Sequence, residues 1–266
     1  MNTPLTTATT TTTTVSAPAL SPARTITVEV WSDIACPWCY IGKRRFAAAL
    51  ESFSHRDHVD VVWRSYQLSP DAPRGPGRPE AEALAEMKGL PLEEVQRMFE
   101  HVTAVAARDG LAYDFDSVLA FNSYDAHRLT HLARELGGAD LAERTLEVLY
   151  SAHFERGADL GVDDALVAVA REAGFAQAGH DDDAVAVFLA GDAQSDAVDA
   201  DIAAARELGV TGVPFFVVDR RYAVSGAQPA EMFTQLLDAG WREANPLQVL
   251  VGDASADACT DDSCAT

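Results

Sequence analysis

Apolar and polar positions keep different rhythms in different parts of this chain. Ile26, Val28 and Val30 alternate with Thr27, Glu29 and Trp31, the period-two pattern of a strand. From Tyr40 to Phe53 the apolar positions Ile41, Phe46, Ala49, Leu50 and Phe53 fall on one face of a helix. Val59–Tyr66 is rich in Val, Trp and Tyr and predicts a second strand. Gln67–Pro79, with its prolines and glycines, predicts a loop.

From Glu80 to about Leu208 the spacing is helical almost throughout. Helices are predicted near 80–87, 91–108, 121–136, 139–156, 163–173, 181–190 and 194–208, with Gly or Asp between them. Asp181 and Ser195 are the expected N-caps of the last two. Phe215–Val218 then predicts a buried strand and Arg220–Ser225 a second, joined by a tight turn at Asp219-Arg220-Arg221. Pro229–Trp241 closes as a helix.

The strands thus cluster at the two ends of the body. The economical fold class is α/β, one domain interrupted by an all-helical insertion. The expected parts are residues 25–66 plus 194–243 for the α/β domain and 67–193 for the insertion. Residues 1–24, where nine of the first fourteen are Thr, are expected to be a tail, because no apolar patch there could order the backbone, and 244–266 is expected to be a second, acidic tail carrying Asp253, Asp257, Asp261 and Asp262.

Charge narrows the partners. The 266 residues hold 20 Lys+Arg against 41 Asp+Glu, a formal net charge of −21. Such a chain repels phosphate backbones and anionic membranes, so neither nucleic acid nor a membrane surface is an expected partner. No stretch of about 18 apolar residues could span a bilayer. The N-terminal stretch lacks the basic and apolar segments of a secretory signal, so a reducing cytoplasmic setting is expected. The four cysteines are too few for a disulfide scaffold, yet they fall in two tight pairs, Cys36/Cys39 and Cys259/Cys264.

Cys36-Pro37-Trp38-Cys39 stands where a strand gives way to a helix. Free N–H groups and the macrodipole at a helix N-terminus favour negative charge, which suits a thiolate at the first cysteine. Cys39, one turn on, is placed to resolve a mixed disulfide. Pro37 fits the first helical turn, where its missing N–H has no partner to lose. Lys43, Arg44 and Arg45 add positive charge a full turn further along. A zinc site would need two more ligands, and the other cysteines are in the distant tail, so no metal is expected.

The segment Val28-Glu29-Val30-Trp31-Ser32-Asp33-Ile34-Ala35-Cys36-Pro37-Trp38-Cys39-Tyr40-Ile41-Gly42 resembles the active-site segment of DsbA-like thioredoxin-fold oxidoreductases, in their FrnE-like branch. Gly209-Val210-Thr211-Gly212-Val213-Pro214-Phe215-Phe216 resembles the family's cis-proline loop, and Phe121–Leu129 resembles a helix of its inserted domain that faces the site. The resemblance implies a thioredoxin-like fold, with Cys36 as nucleophile and Cys39 as resolving thiol. It implies a cis Val213–Pro214 bond facing the disulfide, with Pro37, Trp38, Val213 and Pro214 meeting substrate and Asn122, Asp125 and His127 lining the cleft.

The implied activity is thiol–disulfide exchange with a disulfide- or thiol-bearing protein or small molecule. No dissociable cofactor is needed, because the dithiol is the redox centre; glutathione is a candidate co-substrate. Two other functions fit the same residues. One is a glutathione-dependent isomerase or transferase acting on a small aromatic substrate. The other is a peptide-binding chaperone with an incidental dithiol. Cys259/Cys264 reads either as a second redox pair that exchanges with Cys36/Cys39 or as incidental thiols in a solvated tail. His127 and His131, spaced i and i+4, could face one ligand, but no Glu follows His127 as in a zinc-protease motif.

Overall fold

The computed structural model describes residues 23–247, so Cys259 and Cys264 lie outside the described residues. Strand β1 (Ile26–Ser32) leads into helix α1 (Pro37–Ser52), and β2 (Val59–Ser65) returns beside β1. The pair is parallel, in register from Ile26 opposite Val59 to Ser32 opposite Ser65. Short strands β3 (Arg78–Pro79) and β4 (Leu119–Ala120) pair with each other apart from the main sheet. Helices α2 (Glu80–Lys88), α3 (Leu92–Arg108), α4 (Tyr124–Phe154), α5 (Asp163–Ala173) and α6 (Asp182–Ala190) fill the middle of the chain. Then α7 (Ser195–Glu207), β5 (Phe215–Val218), β6 (Tyr222–Ser225) and α8 (Ala230–Ala244) complete the sheet, whose order is β2-β1-β5-β6.

This is the α/β architecture with a helical insertion that the sequence predicts. The central strand explains itself by burial. Ile26, Val28 and Val30 face Phe46, Phe233 and Leu237 in the main core under α1 and α8. Trp31 points the other way, onto Val217, Ala205 and Val210 beneath α7. Its indole N–H donates to the Asp201 carbonyl at 2.9 Å. Glu29, on the same side, is also buried and is clamped by Arg220 at 2.8 Å and Arg64 at 2.8 Å. The Arg220 hydrogen bond outweighs burial and, with Arg64, holds this carboxyl below its usual value.

Several local expectations are corrected. The loop predicted over Gln67–Pro79 ends in strand β3, because Leu119–Ala120 supplies a partner distant in sequence. The two helices predicted at 121–136 and 139–156 are, by contrast, both present as the halves of α4, meeting at a kink where Gly137 (φ −138°) and Gly138 (φ 67°) leave helical geometry; the first half starts at Tyr124. Ser195 is not the cap of α7 but its first helical residue; Gln194 precedes it at φ 67° and no side chain caps the helix. The last strand begins at Tyr222, since Asp219 (φ 47°) and Arg220 (φ 55°) are used up in the left-handed turn. Asp181 does cap its helix, accepting the Ala184 N–H at 3.0 Å.

Candidate active site

The sheet ends just where the two cysteines begin. After Ser32, the Cys36 N–H donates to the Asp33 carbonyl at 3.0 Å, closing a turn that delivers Cys36 to the N-cap of α1. Pro37 occupies the first turn, and the Cys39 N–H donates back to the Cys36 carbonyl at 3.0 Å. Both cysteines are free thiols; Cys36 is 4% exposed and Cys39 fully buried, while Trp38 between them is 36% exposed. The Tyr113 hydroxyl donates to the Pro37 carbonyl at 2.7 Å, so the insertion grips the motif's backbone.

The second wall comes from the far end of the chain. The Val213–Pro214 peptide bond is cis, and the Val213 carbonyl accepts from the Cys36 thiol at 3.7 Å. Pro214 is buried against Gly42 of α1: a Cβ at residue 42 would lie 2.8 Å from the Pro214 Cγ. Only glycine there lets the loop come down onto the helix that carries the thiols.

Under the thiols lies a buried polar layer. Asp33 is fully buried; its carboxylate accepts the Leu68 N–H at 2.7 Å and the Ala35 N–H at 3.2 Å, with His127 Nε2 3.6 Å away. Burial pushes this carboxyl up, but His127, the Leu68 N–H and the Ser123 hydroxyl together outweigh burial and hold it below its usual value. The Tyr150 hydroxyl donates to the Asp33 carbonyl at 3.4 Å. Burial, then the hydrogen bond and charge of Cys36, push the Cys39 thiol well up, so reduced Cys39 is held as a thiol. Glu80, at the start of α2, is pushed up to about 7 by burial and by the Asp33 charge, against the pull of Arg78. His153 on α4 is pushed down to about 3 by burial, and its Nδ1 has no hydrogen-bond partner.

The residues predicted from sequence divide into two groups. Cys36, Pro37, Trp38, Cys39, Val213 and Pro214 converge on one spot. Asn122 is occupied elsewhere: its amide donates to the Ala72 carbonyl at 2.6 Å and accepts from Gln67 and from the Tyr124 N–H, bracing the loop after β2. Asp125 is held by Arg128 at 2.8 Å. His127 is buried, with Nε2 2.9 Å from the Tyr66 carbonyl, and reaches the site through Asp33. His131 faces Asp201 at 3.0 Å instead of joining His127, and no group of three His, Cys, Asp or Glu that could hold a metal occurs among the described residues.

The basic run after the motif is also committed. Lys43 is buried between Glu143 at 2.6 Å and Glu147 at 2.7 Å, Arg44 pairs with Glu147, and Arg45 with Asp109 at 2.8 Å. These cations tie α1 to its neighbours and do not form a free positive patch over the thiols. Asp33, Tyr113, Glu80 and His153 were not singled out from sequence. Asp33 carried one signal, an acidic residue at the end of an apolar strand three positions before the first cysteine. The others sit in ordinary helical or loop patterns that give no sign of what they face.

Comparison with known proteins places this geometry. A crystal structure of a probable DsbA oxidoreductase from Streptomyces coelicolor is 43% identical, with a TM-score of 0.75 and coverage of 91% of this chain and 99% of that one. The cytosolic disulfide reductase DsbM from Pseudomonas aeruginosa shares the fold at 17% identity, TM-score 0.55, covering 82% of this chain and 99% of that one. An uncharacterized protein of Bacillus subtilis, YwbO, is 24% identical over 224 residues, 80% of this chain and 96% of that protein. The family model for the DSBA-like thioredoxin domain matches residues 27–238, almost the whole body described above. The chain belongs to the DSBA-like thioredoxin domain family.

Proposed function

We propose that the protein exchanges disulfides through Cys36 and Cys39 with a disulfide- or thiol-bearing protein or small molecule. The observation that carries this is the placement of two free thiols at the N-cap and third position of α1, with the Val213 carbonyl 3.7 Å from Cys36 Sγ. The name of the Streptomyces coelicolor relative, 43% identical, points the same way.

In the reducing direction, the Cys36 thiolate attacks one sulfur of the partner's disulfide. That S–S bond breaks, its electron pair leaves on the partner's other sulfur, and that thiolate takes up a proton. Cys39, losing its own proton, then attacks Cys36 Sγ and expels the partner's remaining sulfur as a second thiol. The dithiol has lost two electrons and two protons, and the partner has gained them. The reverse sequence oxidises a partner dithiol. Trp38 is the exposed apolar surface beside the nucleophile, and the backbone of Val213 is the edge along which an extended partner segment aligns. Asn122 and His127 act indirectly, by fixing the loop and Asp33 behind the thiols. Cys259/Cys264 is the proposed second dithiol, exchanging with the first.

A redox titration against glutathione tests the proposal. The wild-type chain is expected to interconvert between a dithiol and a Cys36–Cys39 disulfide, Cys39→Ser to accumulate a mixed disulfide with glutathione, and Cys36→Ser to do neither. Exchange that survives in Cys36→Ser/Cys259→Ser/Cys264→Ser would refute the assignment of the nucleophile. An unchanged midpoint and exchange rate in Cys259→Ser/Cys264→Ser would refute the second dithiol alone.

A further inference from the structure

At the opposite end of α1 from the thiols, the fold leaves a cavity of about 470 Å³ that no step of disulfide exchange uses. It lies beside the kink in α4, where Gly137 (φ −138°) and Gly138 (φ 67°) leave helical geometry. The edge strand β2, α1 and the start of the second half of α4 line it. The walls are apolar, built by Leu50 of α1 with Val61 and Trp63 of β2. The volume falls within the range of small-molecule sites, roughly 300–1,000 Å³.

The rim is acidic. Five carboxylates and two cations line this space. Lys43 is buried between Glu143 and Glu147, while Arg56 is exposed, 3.8 Å from Asp57, with its Nη1 donating to the Glu51 backbone carbonyl at 3.5 Å and leaving the Glu51 carboxylate unpaired among the described residues. Glu143 also accepts the Trp63 indole N–H at 2.7 Å, and Asp60 faces Arg134 at 3.5 Å. Glu51 and Asp140 have no ionic or hydrogen-bonded side-chain partner among the described residues, and they stand on α1 and on α4 just past its break. The chain's overall charge of −21 deepens the same field. An anionic ligand would meet repulsion at this mouth, and a neutral one would gain nothing from it.

We propose that this cavity is a second ligand site, separate from the redox centre, for a small amphipathic organic cation: an apolar or aromatic body against Trp63 and Val61, with an ammonium group between Glu51 and Asp140.

Two matched probes test it by calorimetric titration of the full chain: 4-phenylbutylamine and 4-phenylbutyrate, which share a body and differ in charge. The amine is expected to bind with one-to-one stoichiometry, at least about tenfold tighter than the acid, and more weakly as salt is raised. Glu51→Gln/Asp140→Asn, both surface changes, is expected to weaken the amine roughly threefold or more while leaving disulfide exchange unchanged. Ala139→Trp, which fills the cavity mouth, is expected to abolish binding. No binding of the amine at millimolar concentration, equal binding of both probes, or amine binding indifferent to both variants would each overturn the proposal. None of those results would touch the assignment of Cys36 and Cys39.

Discussion

A buried and a half-buried titratable group in the insertion oppose each other, and separating them gives a sharp test of the polar surroundings of Asp33. His153 is 1% exposed, packed against Phe121 at 4.9 Å, and burial pushes it from 6.5 down to about 3. Glu80 is pushed from 4.5 up to about 7, by burial first and then by the Asp33 charge. Between pH 4.5 and 6.5 the folded chain keeps His153 neutral while the unfolded chain protonates it. The unfolded state then binds more protons, so this group makes stability rise with pH, by up to about 1.4 kcal/mol per pH unit. Glu80 does the reverse in the same window. It is protonated when folded and ionised when unfolded, so it makes stability fall with pH at nearly the same slope. The carboxylates held below their usual values, Asp33 and Glu29, deliver their stabilisation in full above that window's lower edge and add little slope within it.

The two slopes therefore nearly cancel in the wild-type chain between pH 5 and 6. His153→Leu leaves Glu80 unopposed, so the variant loses stability as pH rises. Glu80→Gln, a neutral isostere of the protonated acid, leaves His153 unopposed, so that variant gains stability as pH rises. Allowing for incomplete titration at the edges, the stability difference between the two variants should swing by roughly 2 kcal/mol over one pH unit. Urea unfolding followed by tryptophan fluorescence under reducing conditions, at pH 5.0 and 6.0, measures it. Parallel profiles for the two variants would refute the opposed placement of these groups.

Two further perturbations address the site directly. Gly42→Ala places a Cβ 2.8 Å from Pro214 Cγ, so despite alanine's better helix propensity it should destabilise by about 1–3 kcal/mol, and raise the accessibility of Cys36 to an alkylating reagent as the loop lifts; unchanged urea midpoint and alkylation rate would contradict this packing. Asp33→Asn turns one acceptor of the Leu68 and Ala35 N–H groups into a donor and should cost about 2–4 kcal/mol at neutral pH. Because the folded Asp33 value is lowered, its stabilisation is complete above 3.8 and is lost as pH falls through the folded value, so the gap to wild type should narrow between pH 5 and pH 3; a constant gap would refute it.

The residues that show what the sequence could reveal are those whose neighbours are close along the chain. β1 and α1 are legible because period two gives way to period 3.6 across a CxxC, and the Gly137-Gly138 break is legible because two glycines interrupt an apolar stripe. Lys43, Arg44 and Arg45 look like a free positive patch because Glu143, Glu147 and Asp109, which neutralise them, stand more than sixty residues away. Glu29 and Trp31 look like the wet face of β1 because what covers them, Arg220 at Glu29 and α7 at Trp31, comes from the far side of the insertion. Asn122 and His127 were legible as polar residues near the site, but not as struts, since their partners Ala72, Tyr66 and Asp33 are set by tertiary packing.

The Val213 carbonyl meets Cys36 across a sequence separation of 177 residues. A ribosome adding about 5–20 residues per second delivers the two sides of that contact some 9–35 s apart. During that interval β1 has only β2 beside it, and the nascent chain carries a dithiol whose covering loop does not yet exist. The thiols are therefore chemically exposed before they are structurally enclosed. What protects or loads them at birth has to come from the surrounding medium, because the loop that closes over them is among the last parts of the body to be made.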